Sequence, residues 1–442
     1  MTDAPERLQL LWGITVFSGA LAQLTSLLTG LPSVVLLLAS GLLIGRSGLG
    51  LVDPFALGSG LETIVGLLVS LVLFDGGLKL SLPGSTTRQA VLRIVVVRLL
   101  VALPAGLLAA HWLAGLSWPL AAVYSAIVLG TGPTVVTPLI QQMRLAPPLG
   151  DVLEGEGLVL EPIGAVLALL LLELVLTDRY DWQDLGLELL QRLGFGVAVG
   201  ALSGLLLAVL LRRLPVDPES GLRLQLTLGV MFLMFTGCEV VMPESGLPAA
   251  VMAGVLVGRF ADTEAAMLDD LIRQLAQLAI SILFPLLAAD VAWTDLSPLG
   301  WGGVGCVLTL MLLVRPVAMQ IATFGLPLSG GQKLLLSWLA PRGIVTAAVA
   351  SLFALRLYEA GVEGAGALQG LVFLTILMTV GLQGFTAAPL AGLLGLRLSE
   401  QELEEEEERQ REEAKDQQLA AAGVIPAPAA ASQALPLENP QP

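Results

Sequence analysis

The sequence predicts an all-α polytopic membrane protein of about thirteen transmembrane helices, arranged as two inverted six-helix repeats with crossed, discontinuous helices. Three observations predict it. Of the 442 residues, 55% are hydrophobic and only 13% charged, where a soluble domain carries about 25% charged residues. Apolar stretches follow one another from Leu11 to Leu396 with short polar interruptions, and each is near the roughly 20 residues that cross a bilayer. Two of these stretches are interrupted in the middle by Gly and Pro.

Cutting at the polar and Pro/Gly-rich breaks places the spans near 11–29, 31–49, 60–80, 91–113, 118–141, 150–177, 186–211, 222–241, 246–260, 270–291, 300–324, 331–356 and 367–395. Met1 to Leu10 contains Asp3 and Glu6 beside one Arg, and the run from Leu11 is long enough to stay as a span, so the first helix reads as part of the fold rather than a cleaved leader. Lys79, Arg88, Arg93, Arg144, Arg212, Arg213, Arg223, Arg259, Arg273 and Lys333 fall at breaks on one side, against Arg7, Arg46, Arg179 and Arg356 on the other. Basic loops stay in the cytoplasm, which places the amino terminus outside and the carboxyl terminus inside. Trp12, Trp112, Trp118, Trp182, Trp293 and Trp301 agree, all lying at predicted outer ends where an indole keeps its ring in the acyl region and its N–H in the headgroups; Trp338 alone departs.

The chain divides into a transmembrane domain over 1–398 and a cytoplasmic tail over 399–442. The tail holds 11 acidic and 3 basic residues against a net charge of −15 for the whole chain. It opens with the run Glu404 to Glu408 and turns Ala/Pro-rich, which reads as a solvated helix followed by disorder. A soluble enzyme is excluded. One His, His111, and two Cys, Cys238 and Cys306, both inside apolar runs, exclude an imidazole metal centre and a disulfide scaffold. No cofactor and no nucleic-acid partner are expected. Gly330-Gly331-Gln332-Lys333 lacks the spacing and the following Ser/Thr of a phosphate loop, which disfavours ATP-driven transport.

The fifth span carries Gly130-Thr131-Gly132-Pro133 and the twelfth Pro341-Arg342-Gly343. Pro removes an amide donor and Gly loosens the backbone, and the polar groups so freed cannot face lipid; they are tolerated around a protein-enclosed polar cavity. Taken singly, each break also reads as an ordinary proline kink. Together they lie seven spans apart, an odd offset, so the two helices run in opposite directions and spans 1–6 and 8–13 form inverted repeats joined by span 7. That pattern points to a secondary transporter with its site near the membrane midplane.

An ionisable group at mid-bilayer costs from about 2.5 kcal/mol upward, so each one is a functional candidate. The candidates are Asp75, the sixth-span acids Glu154, Glu156 and Glu161, and Arg342 in the twelfth, with Arg98, Arg192, Arg315, Glu173 and Glu239 nearer segment ends. Glu161 is the deepest acid, followed by an apolar run to Leu172. A carboxyl withdrawn from water exchanges its proton near neutral pH, which suits a group that releases a proton to take up a cation. Glu154 shares a helix face with Glu161 and reads equally as a solvated end charge. Arg342 is expected to neutralise an acid of the sixth span, Arg98 and Arg315 can snorkel, and His111 beside the tryptophan belt is expected to be structural.

These residues resemble the NhaP-like sodium/proton antiporters, bacterial relatives of the animal sodium/proton exchangers, over about residues 10 to 395. Phe74-Asp75-Gly76-Gly77-Leu78 resembles the family's Phe-Glu-Gly-Gly, Thr131-Gly132-Pro133 its Thr-Asp-Pro, Glu156 to Glu161 its Glu-Ser-x-x-Asn-Asp, and Pro341-Arg342-Gly343 its Pro-Arg-Gly. The resemblance implies a thirteen-span homodimer of the cell inner membrane that exchanges H+ for Na+, K+ or Li+ and serves pH homeostasis. Each subunit would have a dimerisation domain and a mobile core in which the fifth and twelfth helices cross. Carried over by position, Glu161 binds cation and proton, Thr131 supplies a backbone carbonyl and its hydroxyl, Asp75 assists the ion, and Glu156 pairs with Arg342 in a structural role. Gly132, Gly157, Leu160 and Glu161 depart from the family pattern, and the combination Gly-Thr-Gly-Pro with Glu-Gly-Glu-Gly is similar to the cyanobacterial branch.

The leading expectation is electroneutral one-for-one cation/proton exchange by alternating access. An organic-anion symporter on a similar fold and an intramembrane aspartyl protease using Asp75 and Asp151 are the alternatives.

Overall fold

The computed structural model describes residues 4–58, 60–80, 84–145, 148–177, 182–213 and 221–397. The acidic tail, Arg179 and the side chain of Trp182 lie outside those residues. The described chain is almost wholly helical: α1 (Ala4–Thr29), α2 (Ser33–Ile44), α3 (Gly60–Lys79), α4 (Gly84–Val97), α5 (Leu103–Trp112), α6 (Trp118–Ile127), α7 (Pro133–Met143), α8 (Leu149–Thr177), α9 (Trp182–Arg213), α10 (Leu222–Val241), α11 (Gly246–Phe260), α12 (Asp262–Ala288), α13 (Trp293–Leu296), α14 (Gly300–Thr309), α15 (Arg315–Ala322), α16 (Gly330–Trp338), α17 (Ile344–Glu359) and α18 (Ala365–Leu393). Among the described residues, nine helical stretches are long and apolar enough to cross a membrane, with α2, α6 and α11 as shorter apolar helices. The chain is therefore a multi-pass membrane protein.

Local chemistry sets the interruptions. The second apolar run was expected to reach residue 49, but α2 stops at Ile44, where Gly45, Gly48 and Gly50 turn the chain back on itself and Arg46 N–H donates to Ala289 O at 3.0 Å. The fourth and eleventh runs each contain a π-helical turn, Arg98–Ala102 between α4 and α5 and Leu310–Val314 between α14 and α15. Each is followed by a proline in the next helix's first turn, Pro104 and Pro316. A proline ring clashes with the carbonyl four residues earlier, and one wider turn relieves that clash. Gly330 to Lys333 opens α16 with a capping box in which Gln332 N–H donates to Ser329 Oγ and Ser329 N–H to the Gln332 side chain, so this segment is a helix start.

The helices pack as two sets, α1–α3 with α9–α12, and α4–α8 with α13–α18. Lipid tails are as apolar as leucine, so association inside a membrane relies on close packing of small residues. In the first set α11 lies between α3 and α9, and at Gly77 and Gly254 an added Cβ would strike the backbone of the facing helix. Counting α4–α5, α6–α7, α14–α15 and α16–α17 as one span each, successive spans joined by short turns alternate in direction, so Trp112, Trp118, Trp293 and Trp301 fall at one end of the bundle and the basic residues Lys79, Arg144, Arg273 and Lys333 at the other. At the tryptophan end the two sets meet at buried Asp290, which accepts from Gln369 Nε2 at 2.5 Å and faces Arg46 at 3.6 Å. His111 stacks on Trp118 with ring centroids 3.8 Å apart, a structural contact. Trp338 ends α16 at the second break, away from the belt, and its indole N–H donates to Thr386 Oγ1 at 2.9 Å.

Candidate functional site

The two broken helices meet backbone to backbone. α6 stops at Ile127 and α7 resumes at Pro133, whose missing amide costs nothing at a helix's first position. α16 stops at Trp338 and α17 resumes at Ile344. Gly132 N–H donates to Pro341 O at 3.1 Å. A Cβ at Gly132 would sit 2.5 Å from Gly343 N and nearer still to Gly343 Cα, so the crossing is close enough that residue 132 has no room for a side chain. Two amides of the second break are held from α18, with Ala340 N–H on Gln383 at 3.0 Å and Arg342 N–H on Thr379 at 3.3 Å.

The half-helix ends present carbonyls with no helical partner, which carry partial negative charge. Three guanidiniums cap them. Arg98 donates to Leu129 O, Arg315 to Leu336 O at 3.2 Å and Leu339 O at 2.7 Å, and Arg342 to Gly130 O at 2.7 Å. Glu156, fully buried, neutralises two of them: Arg98 donates to its Oε1, and Arg315 donates to both carboxylate oxygens, to Oε2 at 2.9 Å. The expected Glu156–Arg342 pair is therefore replaced by an Arg98–Glu156–Arg315 triad, while Arg342 serves the Gly130 carbonyl across the crossing. The bidentate contact comes from Arg315, which leaves the π turn before Pro316 already inside the bundle. Neither Arg98 nor Arg315 snorkels; they are 2% and 5% exposed.

Glu161 is the opposite case. It lies one and a half turns beyond Glu156 on α8, it is 3% exposed, and both its carboxylate oxygens are buried without a hydrogen-bond partner. The Oγ1 of Thr131, in the first break, is likewise buried without a partner. Glu161 faces a cavity of about 10 Å3 lined by Ile127, Gly130, Ala165, Val345, Thr346 and Val349, about the space of one water molecule. Gly130 makes this approach possible, since a Cβ there would stand 3.0 Å from Glu161 Cα.

Two larger cavities lie between the two helix sets, and one of them shares two walls with the Glu161 cavity. The one at the tryptophan end has about 370 Å3 and is lined by Glu62, Glu239, Glu244 and Arg356, and by Val345 and Val349, which also line the Glu161 cavity. The one at the basic end has about 60 Å3 and is lined by Asp75, Lys79, Thr137, Glu154, Leu158 and Arg273. Asp75 belongs to this second cavity, bonded to Lys79 at 2.6 and 2.8 Å, and not to the Glu161 cavity. The reason is helix phase and depth: Asp75 sits in the last turn of α3 next to Lys79, on the set opposite to Glu161. Glu154 shares the basic-end cavity with it. Glu239 accepts from the amides of Glu244 and Gly246 and caps the start of α11. Glu173 pairs with Arg192 at 3.0 Å.

The sequence family model for the transmembrane sodium/hydrogen exchangers matches residues 13–392. The chain belongs to this family. It is thus a secondary transporter that exchanges monovalent cations for protons rather than an enzyme, and the protease and organic-anion readings are not favoured. The chain is similar to the K+/H+ antiporter NhaP of Alkalimonas amylolytica, 24% identical over an alignment of 411 positions that covers 88% of this chain and 67% of that protein. It is also similar to a probable Na+/H+ antiporter of Methanocaldococcus jannaschii, 22% identical over an alignment of 298 positions that covers 62% of this chain and 69% of that one. The solved structure of the sodium proton antiporter MjNhaP1 from the same organism at pH 8 shares the fold, with a TM-score of 0.77 at 22% identity over 87% of this chain and 98% of that chain.

Proposed function

We propose that Glu161 is the single carrier group of this exchanger, binding one proton or one monovalent cation in turn, and that the exchange is one for one and electrically silent. The observation that carries this reading is the pair of carboxylate oxygens buried without a partner, on a cavity that shares Val345 and Val349 with one larger cavity while a second reaches Leu158 on the same helix. A bare carboxylate at this depth costs about 2.5 kcal/mol or more, so movement of the site between the two cavities is favourable only when a proton or a cation neutralises it. That penalty couples the two fluxes. Glu156 cannot serve, because its charge is already balanced by two arginines.

The break at Thr131 supplies a ligand through its unpartnered hydroxyl and its carbonyl. Asp75 acts at the approach from the basic end rather than on the bound ion. Na+ is the favoured cation, with K+ and Li+ as the alternatives, in keeping with relatives named for both Na+ and K+. The set α1–α3 with α9–α12 serves as the dimerisation scaffold of a homodimer, and α4–α8 with α13–α18 as the core that moves against it. In this reading there are thirteen spans, with two inverted six-helix repeats joined by α9. The amino terminus lies outside and the tail 399–442 in the cytoplasm, in the inner plasma membrane. The basic end then faces the cytoplasm.

The test is transport in inside-out vesicles energised with a pH gradient and followed with a pH-sensitive dye. Na+, K+ or Li+ should collapse the gradient, insensitive to membrane potential, and Glu161→Gln should abolish the response. A Glu161→Gln protein with full activity overturns the assignment.

A further inference from the structure

We propose that Thr346, at the start of α17, supplies a side-chain oxygen to the transported cation, replacing oxygen donors that the α8 side of the site lacks. This rests on Glu161 being the carrier. Glu161 and Thr346 are the two residues with polar side chains lining the cavity of about 10 Å3; the other walls are Ile127, Gly130, Ala165, Val345 and Val349. A void of this size admits about one water-sized particle, so a cation next to the Glu161 carboxylate lies against the Thr346 side chain as well.

A cation stripped of water needs several oxygens, and hard monovalent and divalent cations take them from carboxylates, carbonyls and hydroxyls. On α8 the positions flanking Glu161 offer none: Gly157 has no side chain and Leu160 is apolar and fully buried. At the crossing Gly132 has none and has no space for one. A hydroxyl keeps a lone pair for a cation whichever way its own proton points, and Thr346 is 3% exposed, held by the first turn of a half-helix whose start is pinned at the crossing. The Thr346 oxygen distinguishes the two substrates, since a proton on Glu161 needs no second ligand and a cation does.

The test uses full-length protein in proteoliposomes, with Na+, K+ and Li+ each titrated at several pH values. Thr346→Val keeps the shape and removes the oxygen. It should raise KM for the preferred cation roughly three- to tenfold, the worth of one polar contact, with kcat at saturating cation little changed. At fixed subsaturating cation the fall in activity on acidification should move to higher pH, because protons then compete better. Thr346→Ser should restore wild-type KM. Ala165→Ser in the Thr346→Val background places a hydroxyl on the same cavity from α8 and should recover part of the affinity. An active Thr346→Val protein with unchanged KM for all three cations and an unmoved pH profile overturns the proposal while leaving Glu161 as carrier. If Thr346→Val does not fold, a Thr346→Ser protein with a raised KM and a normal melting temperature also overturns it, since serine retains the oxygen. Loss of the wild-type exchange itself would instead strike the underlying reading.

Discussion

Replacing Gly132 with Ala tests whether the crossing of the broken helices is as tight as it stands. The added Cβ would lie 2.5 Å from Gly343 N and 3.3 Å from Arg342 C, all rigid backbone, whereas ordinary contact begins at 3.4 Å. The breaks must part by more than about 0.9 Å, the difference between 3.4 and 2.5 Å, because Gly343 Cα is nearer still. The Gly132 N–H to Pro341 O bond, now 3.1 Å, would then exceed hydrogen-bonding distance. Losing that bond costs about 0.5–1.5 kcal/mol and overpacking about 1–3 kcal/mol, together about 1.5–4.5 kcal/mol. Gly132 does not have a positive φ, so the cost is steric and not conformational. Gly229→Ala on α10, where an added Cβ meets nothing within 4 Å, is the matched control. Thermal unfolding in detergent should show Gly132→Ala clearly below wild type and Gly229→Ala close to it. Transport should fall steeply as well, because Gly130 and Glu161 pack at the same crossing and misplacement by 1 Å costs up to about a hundredfold. A Gly132→Ala protein as stable and active as Gly229→Ala would refute the close crossing. The same clash explains why the acid usual at this place in the family cannot be restored without moving α17.

The triad makes an asymmetric prediction: Glu156→Gln strands two buried guanidiniums and should cost about 3–5 kcal/mol, seen as a sharp drop in melting temperature, whereas Arg98→Gln leaves the bidentate Arg315 contact and should cost less. Asp75→Asn should change the cation KM by no more than about fivefold, the range of a partly exposed ion pair, and abolished transport would make Asp75 a direct ligand after all. Burial, and then the neighbouring Glu239 carboxylate, push the Glu244 carboxyl up to about 8 in the turn between α10 and α11. A carboxyl raised above its unfolded value stabilises most at low pH and loses that contribution as pH rises towards 8. The melting temperature of wild type minus that of Glu244→Gln should accordingly decrease between pH 5 and 8, and a flat difference would contradict the assignment.

Most helices were legible because a run of about 20 apolar residues has few other uses, and both breaks because Gly130, Gly132, Pro133, Pro341 and Gly343 remove what holds a helix together. Glu161 was legible as the deepest acid of α8. The partners of Glu156 were not, since pairing is tertiary and Arg98 and Arg315 read as residues able to snorkel. A usable signal was present: the two arginines occupy the fourth and eleventh runs, seven apart like the breaks, and Pro104 and Pro316 follow them. Thr346 was missed because a threonine in an apolar helix start has no pattern of its own; only its place on the Glu161 cavity singles it out. That Asp75 lines a separate cavity beside the Lys79 ammonium, one turn along α3, was not legible, because its motif says nothing of that partner.

The most direct measurement is proton release on cation binding to purified protein in weakly buffered detergent solution, read with a pH indicator. Competition at Glu161 predicts about half a proton released per chain on saturation with Na+ or K+ at the pH where the group is half-protonated, rising towards one at lower pH, and none from Glu161→Gln. Cation binding with no proton release from the wild type, or undiminished release from Glu161→Gln, would contradict it.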